Sequence, residues 1–325
     1  MMTQTGKVVF SVVATTATFM HGADPKNSAE LRPPSIKGVM RYWFRALAGA
    51  YYPTNKLKEY EADIFGSTDT GAKLIVRIAE RDNSVSFDNK YLLPHKPENR
   101  HKSPSDALLS GSQFDITLQN YPPSPTQSDL PEAASWALWT AINLGGFGQR
   151  ARRGAGSLRL TQIAGLPEAP MVNQNYQNIK EVAQDIEQGL QRARAVIARL
   201  AGSPAKPLKL NDVADFPILD KTCAIIQVTK LTGRNEEEAR AQLMKELHNY
   251  KNPAFGLPYM IPAAGDHSLN GRHASPLHLH LIPLASGFAL VQTVLFSRFD
   301  IPVDQAKLEQ YLDRVPSTER ERISL

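Results

Sequence analysis

The sequence predicts an α+β protein of two ferredoxin-like (RRM-like) β-α-β-β-α-β domains in tandem, the second decorated or incomplete. Three observations lead there. Apolar residues switch repeatedly between a two-residue and a helical period, clusters of glycine and proline punctuate the switches, and a proline-bearing polar stretch divides the chain near its middle. With 325 residues, 42% hydrophobic and 21% charged, the chain can fill one large domain or two of ordinary size.

Residues 7–18 alternate β-branched and small side chains, as a strand does. Residues 21–34 read as a loop ending in two prolines, after which Ser35 can cap a helix running to Tyr51 and stopped by Pro53. KLIVRIA (73–79) and SQFDITLQ (112–119) are strands, and the polar, basic residues 94–105 between them read as an exposed insertion. A helix over 130–144, a glycine-arginine segment and the strand SLRLTQI (157–163) close the first domain, residues 1–163. Residues 164–176 read as a linker. In the second domain, 177–325, Ile179, Val182, Ile186, Leu190, Ile197 and Leu200 recur at helical spacing. A strand over 223–229 follows, then a helix that Asn235 caps, with three glutamates in its first turn. A hairpin of 277–284 with 288–296 turns at Ser286 and Gly287, and residues 304–312 form a last helix. Three strands make this half incomplete.

No stretch approaches the roughly 20 apolar residues that a membrane helix needs. The first residues alternate like a strand and lack a signal peptide's apolar block, so a cytoplasmic protein without a membrane partner is expected. The single cysteine, Cys223 in an apolar run, excludes an internal disulfide and a thiolate metal cluster and reads as a buried thiol. Lysine and arginine number 37 against 32 acids, a net +5. So mild an excess permits a polyanionic partner without demanding one.

Its distribution says more. Residues 31–58 hold no acid but six cations, Arg32, Lys37, Arg41, Arg45, Lys56 and Lys58. Residues 133–167 again hold none, with Arg150, Arg152, Arg153 and Arg159 among them. In the helix SIKGVMRYWFRALAGAYY, Ile36, Val39, Met40, Trp43, Phe44 and Leu47 share one face and belong to the core. Lys37, Arg41 and Arg45, four apart, form a stripe on another. Such stripes are ordinarily partnered by glutamate at i±4, and no acid occupies those positions. Like charges at that spacing repel by roughly 0.2–0.5 kcal/mol per pair, so an external anion such as a phosphate backbone should offset them.

LGGFGQRARRGAGSL interleaves Gly145, Gly146, Gly148, Gly154 and Gly156 with Arg150, Arg152 and Arg153. Its GFGQRA core formally matches a dinucleotide fingerprint, but that motif needs a strand before it and a helix after. Here the order is reversed, and no Gly-Lys-Ser/Thr is present for a phosphate-binding loop. Such a segment is a surface loop or, where glycine lets the backbone approach and arginine supplies charge, the lining of an RNA strand. Asp266, His267, His273, His278 and His280 could in principle bind a metal. The alternation in PLHLHLIPL instead reads as a half-exposed strand with leucines on one face and histidines on the other. No cofactor or metal is expected.

Taken together, HGADP (21–25), ELRPPSIKGVMRYWFR (30–45), IFGS (64–67), residues 145–157 and ASPLH (274–278) resemble the RAMP superfamily. More narrowly they resemble the Cmr (type III-B CRISPR–Cas) effector subunit located at the crRNA 3′ end. The resemblance implies two ferredoxin-like domains, a glycine-rich loop against RNA and a place in an antiviral complex. Its partners would be crRNA, target RNA and other RAMP/Cmr subunits. It puts Lys37, Arg41, Arg45, Arg150, Arg152 and Arg153 on RNA phosphates, with Gly146, Gly148, Gly154 and Gly156 permitting the approach, and catalysis in other subunits. A different reading is an endoribonuclease, metal-dependent or not, that uses His21 and Asp24, since a base beside a scissile phosphate could deprotonate the 2′-OH. A scaffold with no RNA contact is the plainest alternative.

Overall fold

The structure, a computed structural model, describes residues 6–24, 28–94, 104–121, 129–202, 215–249, 274–297, 305–315, 317 and 319–325. In chain order the elements are β1 (Lys7–Ala14), α1 (Pro33–Ala48), α2 (Thr54–Phe65), β2 (Leu74–Glu80), β3 (Phe87–Lys90), β4 (Ser105–Leu108), β5 (Gln113–Asn120), α3 (Asp129–Leu144), β6 (Leu158–Ala164), α4 (Ile179–Leu200), β7 (Ala224–Leu231), α5 (Glu236–Asn249), β8 (Leu277–Pro283), β9 (Phe288–Leu295), α6 (Gln305–Arg314) and β10 (Arg320–Ile323). They make a mixed α+β architecture with two antiparallel four-stranded sheets, ordered β2-β5-β1-β6 and β10-β7-β9-β8, and a two-stranded β3-β4 hairpin.

Five elements depart from the expected pattern, among them both strands of the β3-β4 hairpin, which the sequence pattern does not predict. Helix α1 starts at Pro33, with Arg32 as an N-cap whose side chain makes no capping hydrogen bond. Both prolines therefore lie inside the helix, where the first turn has no partner for an N–H anyway. Helix α2 was not expected at all: only Leu57, Glu61, Ile64 and Phe65 are buried, too sparse an apolar stripe to read as periodic. The short strand β10 pairs with β7 through Arg320↔Thr229 to Ile323↔Ile226, and its charged RERI sequence suits a sheet edge. The second sheet thus has the fourth strand that the sequence lacked. Of the expected insertion, residues 95–103 lie outside the described residues, and its last residue, Ser105, opens β4 and is buried.

One core runs through both halves. Residues of β1, β5 and β6 pack with α1, α3 and α4, and the same cluster continues to Ile226, Val228, Val291 and Leu295 on the second sheet. Helix α3 touches strands of both sheets. On the second sheet's far face, Leu277, Leu279, Leu281, Leu290 and Val294 pack with Leu243 of α5 and Leu312 of α6. The sheet is covered on both sides, which removes the alternation of burial along β8 and β9. Close helix approach is built in: a Cβ on Gly189 of α4 would lie 2.0 Å from the Trp139 ring of α3. The expected linker is packed too, since Tyr176 is buried and its carbonyl accepts from the Ala285 amide at 2.9 Å. Among the described residues no helix is long and apolar enough to cross a membrane.

Candidate nucleic-acid interface

The glycine-arginine segment is a built turn. Gly146 and Phe147 are buried, residues 151–153 form a single 3-10 turn, and Gly154 and Ala155 behind it are buried as well. It lies against residues 15–20, which continue past β1: the Gln149 amide donates to the Phe19 carbonyl at 2.8 Å, and the Gly156 amide to Ala17 at 3.0 Å. Two glycines are forced by these contacts. A Cβ on Gly148 would sit 2.4 Å from the Phe19 oxygen, and one on Gly156 1.8 Å from the Phe147 oxygen, both at positive φ. Protein backbone therefore fills the space these glycines leave free.

The arginines divide. Arg150 is exposed in the left-handed region, with φ 59°. Arg152 and Arg153 turn inward onto the segment that leads into β8: Arg152 Nη1 donates to the Ser275 carbonyl and Arg153 Nη1 to Ser275 Oγ at 3.2 Å. The Arg152 guanidinium also lies 5.3 Å from the centre of the Tyr42 ring. Tyr42, on α1, is joined to His278 of β8, Oη to Nε2 at 2.9 Å. Burial pushes the Tyr42 hydroxyl up to about 12, with Arg152 and Arg45 pulling the other way. Burial, and then Arg152 and Arg153, hold His278 well below its usual range. Hence a neutral tyrosine and a neutral imidazole share this hydrogen bond. The Arg152–Tyr42 contact brings the glycine-arginine turn against helix α1.

The histidine strand corrects the half-exposed reading. His278 and His280 are buried at 4% and 0% exposure, because the face expected to meet solvent meets α1 and α3. His280 Nδ1 donates to the Gly145 carbonyl at 2.8 Å, and burial takes the ring down to about 4. Asp266, His267 and His273 lie outside the described residues.

On α1 the unpartnered stripe also needs correction. Arg41 Nε donates to Glu61 Oε1 at 2.8 Å, and Arg45 Nη1 to both Glu61 oxygens at 3.0 and 3.2 Å. Glu61 is buried on α2, with a side chain 6% exposed. The search for acids at i±4 missed it because the partner comes from a neighbouring helix. Lys37 has no ion pair among the described residues, and burial followed by the charge of Arg41 lowers its affinity for a proton.

His21 is locked in place. Its Nε2 lies 2.9 Å from the Asp106 carbonyl and 3.2 Å from Ser105 Oγ, and its Nδ1 is buried without a hydrogen-bond partner. Asp24 is exposed in the same loop.

Sequence reasoning also missed α5's contribution. Glu236 Oε1 accepts from the Ala17 amide at 3.4 Å, and the buried Arg240 guanidinium lies 5.6 Å from the Phe19 ring centre. The second half thus grips the segment on which the turn rests. A buried charge pair at i, i+4 looks in sequence like any solvated helix pair, so nothing singled it out.

The RAMP superfamily profile matches residues 11–159, from β1 to the start of β6 and across both basic segments. The CRISPR system Cmr subunit Cmr1-2 of Pyrococcus furiosus is 37% identical over 186 residues, which is 48% of this chain and 96% of that protein. This chain belongs to the RAMP superfamily. A second Pyrococcus furiosus relative, Cmr1-1, is 26% identical over 298 residues, 85% of this chain and 83% of that one. Among solved structures, apo Cmr1 from Pyrococcus furiosus superposes with a TM-score of 0.63 at 22% identity, covering 97% of this chain and 98% of that one. A chain of the type III-B Cmr-beta complex bound to cognate target RNA gives 0.59 at 13% identity, covering 95% and 99%. At these identities the two structures establish a shared fold, and this RAMP protein keeps it over nearly its whole length.

Proposed function

We propose that this chain is a non-catalytic RNA-binding subunit of a crRNA-guided type III-B (Cmr) antiviral ribonucleoprotein that targets RNA in the cytoplasm. Two ferredoxin-like units, 1–163 and 177–325 joined by the strap 164–176, form its body; their equivalent strand orders support this reading. Other RAMP/Cmr subunits are its neighbours, and crRNA, target RNA or both are its ligands. The observation that carries the proposal is the Arg152 guanidinium lying 5.3 Å from the centre of the Tyr42 ring on α1, which brings the two acid-free basic segments together. Lys37, Arg41, Arg45 and the exposed Arg150 reach phosphates from it. Arg152 and Arg153 add their charge while shaping the turn, with Gly146, Gly148, Gly154 and Gly156.

An endoribonuclease reading would need His21 as a base, but its Nε2 is hydrogen-bonded and its Nδ1 is buried. Neither nitrogen is presented to a 2′-OH. Ultraviolet crosslinking of the assembled ribonucleoprotein, with peptide mapping, tests the binding surface. RNA adducts are expected within residues 37–45 and 149–153, and adducts on neither segment would refute the proposal. Labelled RNA incubated with the same assembly should be cut equally by wild type and by His21→Ala and Asp24→Ala.

A further inference from the structure

The two arginines of α1 share one carboxylate. Two guanidiniums on a single buried anion leave a net positive charge at the surface, which a one-to-one pair would cancel. Arg41 and Arg45 side chains are 37% and 42% exposed, whereas Glu61 beneath them is 6% exposed. A guanidinium carries five N–H donors in a rigid plane. Arg41 gives Nε to Glu61 and one Nη1 hydrogen to the Gly66 carbonyl at 3.2 Å. Arg45 meets Glu61 through Nη1 alone. The remaining donors of both planes have no partner among the described residues.

The acceptors come from one place. Glu61 lies in the last half of α2 and Gly66 caps that helix at φ 81°, where a Cβ would lie 2.8 Å from the Ala72 amide nitrogen. Helix α2 therefore holds both side chains of the neighbouring helix from below. An arginine free in solvent gives up its rotamer freedom when a ligand fixes it. Here much of that freedom is already lost before any ligand arrives.

We propose that Glu61 is a positioning residue for RNA: its buried carboxylate aims the Arg41 and Arg45 guanidiniums outward as a preformed pair of phosphate donors. This deepens the RNA-binding reading and rests on it. It also makes a prediction opposite in sign to bulk electrostatics. Removing an acid from an RNA-binding surface should strengthen binding if charge alone mattered. If Glu61 aims the arginines, removing it should weaken binding instead.

The experiment is fluorescence anisotropy of a labelled single-stranded RNA oligonucleotide with the full chain, at several salt concentrations and well below the melting temperature. Glu61→Gln should bind roughly ten-fold more weakly, the equivalent of about one charge-assisted hydrogen bond. Its salt dependence should stay unchanged, because both arginines keep their charge. A mere α1–α2 clip would lower the melting temperature and leave the affinity of the folded protein equal or higher; that outcome would overturn the inference. Should Glu61→Gln fail to fold, Glu61→Asp supplies the readout: the charge stays but the shorter side chain cannot reach both arginines. Weaker binding at unchanged salt dependence supports the inference, and wild-type affinity overturns it. Wild-type assemblies with no RNA adduct on α1 would defeat the inference, and with none on residues 149–153 either would defeat the parent reading as well. Adducts on α1 together with tighter binding by Glu61→Gln would defeat the inference alone.

Discussion

The two basic segments are alike in sequence and differ in how they are held. On α1, Arg41 and Arg45 stand on a buried carboxylate and keep much of their donor capacity outward. In the turn, Arg152 and Arg153 reach inward to Ser275, and only Arg150 is exposed. An acid-free run of cations thus says that no local carboxylate is present and leaves open where the tertiary partner comes from. Helix α1 is proposed to serve mainly ligand contact and the turn mainly architecture, and variants can separate the two roles.

The largest effect should come from the turn's glycines. Gly156→Ala combines φ 67° with backbone 1.8 Å away and should destabilise by roughly 3 kcal/mol or more. Gly154→Ala, where the nearest atom is a movable Leu243 methyl at 3.3 Å, should lose about 1–2 kcal/mol. Thermal melts of both variants compare them directly. Equal losses would mean that the turn is softer than described.

Acid should act on the same side of the molecule. His280 titrates at about 4 in the folded chain against roughly 6.5 unfolded. The unfolded state therefore binds more protons between those values. The stability this provides is complete above pH 6.5 and falls away as pH drops toward 4, by about 3 kcal/mol. His278 adds in the same direction. Urea midpoints against pH should show this slope, and His280→Gln, which can still donate to Gly145, should flatten it. Parallel curves would contradict a neutral buried ring.

Arginine replacements sharpen the contrast further. Arg152→Ala loses the Ser275 bond and the Tyr42 contact and should lose about 1–3 kcal/mol of stability. Arg45→Ala leaves Glu61 paired with Arg41 and should stay within about 1 kcal/mol, while its RNA affinity falls several-fold. The reverse pattern would exchange the roles given to the two segments. The smallest effect belongs to Lys37. Because burial and Arg41 lower its affinity for a proton, RNA binding should weaken with rising pH earlier than an ordinary lysine allows. Lys37→Arg should remove that dependence in an anisotropy titration.

Much of this fold was legible because its signals are local. The core face of α1, the strands of the first sheet and the amphipathic α4 all announce themselves by period. What stayed hidden depends on contact at long range. Glu61 lies twenty residues beyond Arg41, on a helix whose own apolar stripe is weak. His278 and His280 alternate with leucines as though half exposed, and only the second helical layer buries them. The glycines of 145–157 read equally well as room for a ligand or as room for the chain itself; Phe19 and Phe147 fill that room at Gly148 and Gly156.

The salt dependence of RNA affinity tests the central assignment most directly. For single strands the log–log slope changes by about 0.7 for each phosphate contact removed. Arg41→Ala/Arg45→Ala should therefore flatten the wild-type slope by roughly 1.4 while the chain stays folded. A folded double variant with the wild-type slope would place the RNA elsewhere and contradict the role given to α1.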